Sequence, residues 1–156
     1  MIAVLQRVLE GKVVVDGKIV GQIGHGILAL VAVAHDDTQE DVQWMANKLS
    51  SIRMFRSTDG EKHFELDVRE VKGSILLVSQ FTLAAQTKKG RRPSFEKAAT
   101  PELGRKLFDE LVAAVGQLNI PTQTGQFAAD MQVSLTNDGP VTFILESRSS
   151  AAPSTV

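Results

Sequence analysis

Ile27-Leu28-Ala29-Leu30-Val31-Ala32-Val33-Ala34 is the longest apolar run in the chain. At eight residues it falls far short of the ~20 that a membrane-spanning helix needs. Its length and its Val and Leu content fit a strand buried on both faces. Ser74–Gln80 repeats the pattern, with Ile75-Leu76-Leu77-Val78 bounded by Lys72-Gly73. Upstream, Val13-Val14-Val15 and Ile19-Val20 flank Asp16-Gly17, a hairpin signal, and Ile2–Val8 reads as the first strand.

Downstream, Thr38 precedes Gln39-Glu40-Asp41, an N-cap followed by acids in the first helical turn, where the helix dipole favours them. Val42, Met45, Leu49 and Ile52 recur at helical spacing and define one buried face. A second helix starts at Thr100-Pro101-Glu102, with Pro at the first helical position, where its missing N–H is harmless. Leu103, Leu107, Leu111 and Val115 form its apolar stripe. Ala129–Leu135 and Val141–Leu145 read as a final pair of strands around Asn137-Asp138-Gly139-Pro140. The pattern predicts one α/β domain, residues 1–146, of mixed or antiparallel sheets with two or three helices. Residues 147–156, rich in Ser, Ala and Pro and without periodicity, read as a disordered tail outside the fold.

Composition narrows the function. At 156 residues the chain is one domain by length. It carries 17 Lys and Arg against 18 Asp and Glu, so a molecule-wide basic field for gripping nucleic acid is excluded, although a local patch is not. There is no Cys and no Tyr, which excludes thiol catalysis, disulfides and Cys-ligated zinc. His25, His35 and His63 stand alone, without partners at ligand spacing, so neither a metal nor a cofactor is expected. The N-terminus reads as a strand and not as an export signal, which points to the cytoplasm and away from the membrane.

Three segments could carry chemistry. Ser79-Gln80-Phe81-Thr82-Leu83-Ala84 follows the buried strand directly, and a polar stretch at such a strand end is a common place for a site. A Ser or Thr nucleophile needs a base nearby. Lys88 and Lys89 are the only His or Lys close in sequence, so reactive hydroxyls and hydroxyls that merely bond the backbone both stay open. Lys88, Lys89, Arg91 and Arg92 place four positive charges in five positions, a loop suited either to phosphates or simply to water. In Asn137-Asp138-Gly139-Pro140, Gly before Pro avoids the clash that Pro imposes on a preceding Cβ. That turn reads as an ordinary connection or as a rigid backbone element facing a ligand, and its X–Pro bond is open to cis.

Taken together these segments resemble the D-aminoacyl-tRNA deacylase family. The likeness begins with Met1-Ile2-Ala3-Val4-Leu5-Gln6-Arg7-Val8 and runs through Val78–Ala84 and Gly90-Arg91-Arg92-Pro93-Ser94-Phe95. It closes with Thr124-Gly125-Gln126-Phe127-Ala128-Ala129-Asp130-Met131 and Asn137-Asp138-Gly139-Pro140-Val141-Thr142. Ala128 stands where many members carry Gly, and Lys62-His63-Phe64-Glu65 departs from the family's usual Lys-Met-Asn stretch.

The resemblance implies a barrel-like core and a homodimer with its site at the subunit interface. It implies hydrolysis of the ester joining a D-amino acid, or a glycine mischarged on tRNA for alanine, to the terminal adenosine of tRNA. Ser79, Gln80, Phe81 and Thr82 would form the catalytic segment, and Phe127, Ala128 and Met131 the substrate pocket. Gly139-Pro140, steadied by Arg7, would be a cis chiral filter inserted into the partner's site. Lys88, Lys89, Arg91 and Arg92 would contact tRNA phosphates. The expected partners are the acceptor end of aminoacyl-tRNA and a second copy of the chain, with no DNA and no membrane. A non-catalytic module that binds the tRNA acceptor end is the alternative.

Overall fold

The structure, a computed structural model, describes residues 1–88 and 90–148. Strand β1 runs unbroken over Ile2–Val15. The sequence pattern divides it into Ile2–Val8 and Val13–Val15, but the structure carries it through Leu9-Glu10-Gly11-Lys12. Those residues lack the alternation that signals a strand, and their order comes from pairing with neighbours. One edge of β1 pairs antiparallel with β2 (Lys18–Ile23) and β3 (Gly26–Ala32) in turn. The other edge carries β6 (Gln132–Glu146), also antiparallel.

β6 corrects an expectation. The two apolar stretches around Asn137–Pro140 do not pair with each other. Both pair with β1, so they form one interrupted strand. Gln6 faces Thr142 while Val8 faces Asn137, which leaves Asp138-Gly139-Pro140-Val141 bulging out of the ladder. Turn chemistry predicts a local bend there. Whether its flanks meet each other or a third strand is settled by distant pairing, and β1 is long enough to take both.

Beyond β3, β4 (Ser74–Ser79) and β5 (Thr122–Thr124) add in parallel. Parallel neighbours need crossover connections, and helices α1 (Gln39–Ser51) and α2 (Pro101–Gly116) lie within them. A 3₁₀ turn, Phe81–Ala84, follows β4. The mixed sheet of six strands curls until β2 meets β5. A Cβ on Gly21 would lie 2.2 Å from the Thr124 carbonyl oxygen, an approach that only glycine permits. The barrel is nearly closed.

β3 and β4 are buried on both faces, as their unbroken apolar sequences predict. Ile27, Ala29, Ile75 and Leu77 pack with Val42, Met45 and Leu49 of α1 and with Leu107, Leu111 and Val115 of α2. Leu28, Leu76 and Val78 point into the curl and meet Val8, Val13 and Ile23. Truncating a wholly buried leucine such as Leu111 to Ala costs about 2–5 kcal/mol, because burial is lost and a cavity remains.

A polar cluster closes the end of the domain. The Met1 ammonium pairs with Asp37 and donates to Ser147 Oγ at 2.7 Å. Ser147 Oγ in turn donates to Asp41 Oδ1 at 2.6 Å, and Arg148 Nη2 reaches Asp41 Oδ2 at 2.7 Å. Burial alone would raise the Asp41 pKa. Hydrogen bonds from Arg148, Ser147 and Thr38 outweigh it and hold the carboxyl well below its usual range. Ser147 and Arg148, the first two residues of the expected tail, are therefore bonded to the fold. Residues 149–156 of that tail lie outside the described residues.

Candidate active site

The floor of the site is the end of β4. Gln80 N–H donates to the Val31 carbonyl at 2.7 Å, which ties the 3₁₀ turn to the end of β3. Within the turn, bonding begins with Leu83 N–H to the Gln80 carbonyl at 3.2 Å. The Phe81 and Thr82 N–H groups precede that bond and stand outside the turn's own ladder. Gln80 Nε2 donates to Thr82 Oγ1 at 2.6 Å. An amide nitrogen cannot take up the hydroxyl proton, so this partner orients Thr82 and does not activate it.

Above this floor lies an apolar cavity of about 430 Å³. Val31, Val33 and Ser79 come from the strand ends, Phe81 from the turn, and Phe127 and Ala128 from the connection between β5 and β6. The remaining wall is Phe95, Ala98, Ala99, Thr100, Pro101, Gly104 and Phe108. Backbone bonds bring this wall into place: Ala99 N–H to the Val33 carbonyl at 2.9 Å and His35 N–H to the Lys97 carbonyl at 3.0 Å. Phe81, 57% exposed, meets Phe95 edge to face with ring centroids 5.1 Å apart. Gly104 leaves room for Phe127, whose Cζ would be 3.5 Å from a Cβ on that glycine. Ala128 adopts φ +59°, the left-handed region where a Cβ is disfavoured.

Of the residues singled out from sequence, Ser79, Phe81, Phe127 and Ala128 line the cavity. Gln80 and Thr82 stand beside it on the turn. Met131 is half-buried against the cluster of Val8, Val13 and Leu28 inside the curl and is not among the residues lining this cavity. The wall contributed by Phe95–Phe108 escaped the sequence reading. Its one visible signal was the Thr100-Pro101 cap, which marks a helix start and not a cavity.

Gly139-Pro140 forms a second feature. Its peptide bond is cis, and it bulges from β6. Arg7, only 1% exposed, holds the bulge from behind. Arg7 Nε contacts the Asp138 carboxylate at 2.9 Å and donates to the Asp138 carbonyl at 3.1 Å. Arg7 Nη1 donates to the Met54 carbonyl at 2.8 Å. Asn137 Nδ2 donates to the carbonyls of Arg7 and Val141 at 2.9 and 3.0 Å, which ties the two ends of the bulge together. Gly139 and Pro140 do not line the cavity of their own chain.

The basic loop is pinned at its base, where Gln86 and Ser94 exchange both backbone hydrogen bonds. Lys88, Arg91 and Arg92 are exposed on it, and Lys89 lies outside the described residues. His25 packs edge-on against Phe55, with ring centroids 5.1 Å apart. Among the described residues, no group of three His, Asp or Glu could hold a metal ion. No helix of the described residues is long and apolar enough to cross a membrane.

An apolar cavity at the end of buried parallel strands, with hydroxyls at its floor and an aromatic pair at its mouth, defines an enzyme-type pocket on a nearly closed α/β barrel. The family model described as D-Tyr-tRNA(Tyr) deacylase matches residues 4–146. A D-aminoacyl-tRNA deacylase of Geobacter sulfurreducens is 54% identical over 149 residues, covering 96% of this chain and 97% of that protein. One of Pasteurella multocida is 53% identical over 146 residues, covering 94% and 99%. A solved structure titled c-Myc DNA Unwinding Element Binding Protein superposes with a TM-score of 0.91 at 36% identity, covering 96% of this chain and all of that one. The chain belongs to the D-Tyr-tRNA(Tyr) deacylase family and is an enzyme, a hydrolase.

Proposed function

We propose that this chain hydrolyses the ester of D-aminoacyl-tRNA, and of glycine carried on tRNA for alanine, as a chiral proofreading step in the cytoplasm. The observation that carries the reading is the apolar cavity ending at Ser79 and Phe81, set in a chain that matches deacylases over nearly its full length. Its aromatic walls suit the flat face of a terminal adenosine.

Two features support a homodimer with a shared site. Among the described residues β6 pairs only with β1, so the outer edge of this strand of 15 residues has no partner there, and Ile144 is 68% exposed. A long strand edge of this kind, with its backbone groups free, invites a second chain. The Gly139-Pro140 bulge is fixed in place by Arg7 yet does not line its own cavity, so it can serve a neighbour's.

A pocket of side chains reads the identity of an amino acid, not its handedness. Rigid backbone carbonyls set against the substrate Cα test handedness alone. An L-side chain would point where a D-residue carries only hydrogen. Each ~1.4 kcal/mol of clash at such a wall is tenfold in rejection. Glycine has no side chain to clash and passes.

Ester cleavage needs an attacking oxygen and donors for the oxyanion. The N–H groups of Phe81 and Thr82 would supply the donors. The vicinal 2′-hydroxyl of the terminal ribose would position or activate water. Thr82 as a nucleophile is disfavoured by its bond from Gln80 Nε2. The exposed loop carrying Lys88, Arg91 and Arg92 would hold acceptor-stem phosphates, with Lys89 of the same loop outside the described residues.

The decisive experiment compares ester loss from a D-aminoacyl-tRNA and its L-counterpart. Fast D-cleavage with the L-ester spared is expected, and equal rates or no cleavage would overturn the reading. Thr82→Val should keep most of the activity if water attacks. Abolished activity in a folded Thr82→Val protein would restore the covalent route.

A further inference from the structure

Arg105, on the first turns of α2, has no part in the site as described so far. Its guanidinium carbon lies 4.7 Å from the centroid of the Phe127 ring. Phe127 lines the cavity and also leans on Phe108, with ring centroids 6.3 Å apart. Arg105 itself is exposed and does not line the cavity; it covers a ring that does. No carboxylate of the described residues pairs with it, although Glu102 and Asp109 sit three and four positions away on the same helix.

A guanidinium held over an aromatic ring is attracted by its face without spending N–H donors on it. Those donors match the paired oxygens of a phosphate. The stack also reduces the freedom that a long side chain would lose on binding. The cation thus sits over a ring of the cavity wall, without a carboxylate partner among the described residues. The ring face holds it at least as well as an exposed pair with Glu102 or Asp109 one helical turn away would, and it leaves the donors unspent.

We propose that Arg105 is a further substrate-binding residue, taking a phosphodiester of the RNA acceptor end beside the cavity. This rests on the deacylase reading, because it is that reading which brings an RNA end to the cavity. Arg105 would act from α2, while the loop of Lys88, Arg91 and Arg92 contacts the stem separately.

The test measures binding of uncharged tRNA by fluorescence anisotropy across a salt series, for the native chain, Arg105→Ala and Arg105→Lys. It adds hydrolysis of D-aminoacyl-tRNA and of phosphate-free D-aminoacyl-adenosine. With Arg105→Ala, tRNA affinity should fall about fivefold and the salt slope should drop by about 0.7, the share of one single-strand phosphate. KM should rise with kcat nearly unchanged, and D-aminoacyl-adenosine should be cleaved as by the native chain. Arg105→Lys should recover the slope. Unchanged affinity and slope would overturn the proposal. So would an equal loss on the phosphate-free substrate, which would make Arg105 a mere prop for Phe127. A native chain that cleaves no D-aminoacyl-tRNA, with Arg105→Ala still lowering the salt slope, would overturn the deacylase reading and support the Arg105 contact.

Discussion

The cavity and the Gly139-Pro140 bulge are built by opposite means. The cavity is concave, lined by apolar side chains, and assembled from four separate stretches of the chain. The bulge is convex, made of backbone, and held by one buried cation and one amide. A wall of side chains adapts to its guest by small rotamer changes. A backbone projection pinned at Asp138, at Met54 and across its own base has no such freedom. The first is suited to gripping a substrate and the second to refusing one. On a single chain Gly139 and Pro140 do not line the cavity, which is compatible with the proposed sharing of the site between two copies.

The largest expected effect comes from keeping the two apart. Ile144→Asp places a charge on the exposed edge of β6 and should leave the fold intact while abolishing both dimer and activity. Sedimentation and the deacylation assay check it together. A monomer that remains fully active would show that cavity and bulge need not cooperate across chains.

Arg7→Ala attacks the bulge alone. It removes the cation facing Asp138 and leaves the Met54 carbonyl without its donor. A cost of about 2–4 kcal/mol is expected in denaturant unfolding, discounted because Asp138 is partly exposed. Rejection of L-esters should weaken more than cleavage of D-esters. Equal losses on both would deny the bulge its special role.

The polar cluster around Asp41 lies apart from both regions and serves as a control. Its carboxyl titrates below the usual range in the fold, so the folded state binds the proton less readily than the unfolded chain. That stabilisation is complete above about pH 5 and is lost progressively as pH falls through the unfolded value toward the depressed one. Unfolding followed against pH should show the loss, and Asp41→Asn should flatten it while sparing D/L discrimination at neutral pH.

The smallest effects probe the cavity wall. Gly104→Ala should stabilise α2 by about 0.5–1 kcal/mol, since Gly is a poor helix former. The added methyl comes into contact with Phe127, so KM should rise as Tm does. Ala128→Gly relieves a left-handed Cβ and should raise Tm by a degree or two, with about 1 kcal/mol as the ceiling. A KM that stays constant in Gly104→Ala would show that the substrate does not use that side of the cavity.

Much of this was legible in the chain because it depends on local chemistry. The eight apolar residues from Ile27 could be settled only in a doubly covered strand. Thr38 and Thr100 announced both helices through cap chemistry, and β3, β4, α1 and α2 lie close to where the pattern places them. Ser79 and Phe81 were findable as the polar end of a buried strand.

Pairing across the chain was not legible. Glu10, Gly11 and Lys12 are strand residues because β2 and β6 lie alongside them, not through any propensity of their own. Residues 132–146 are one strand because β1 accepts both halves. The cavity wall from Phe95 to Phe108 depends on long-range contacts such as the Ala99 N–H bond to the Val33 carbonyl. Propensity, caps and burial period act within a few residues. Register, closure and the shape of an empty space depend on contacts between segments far apart in sequence, and those are set when the barrel curls.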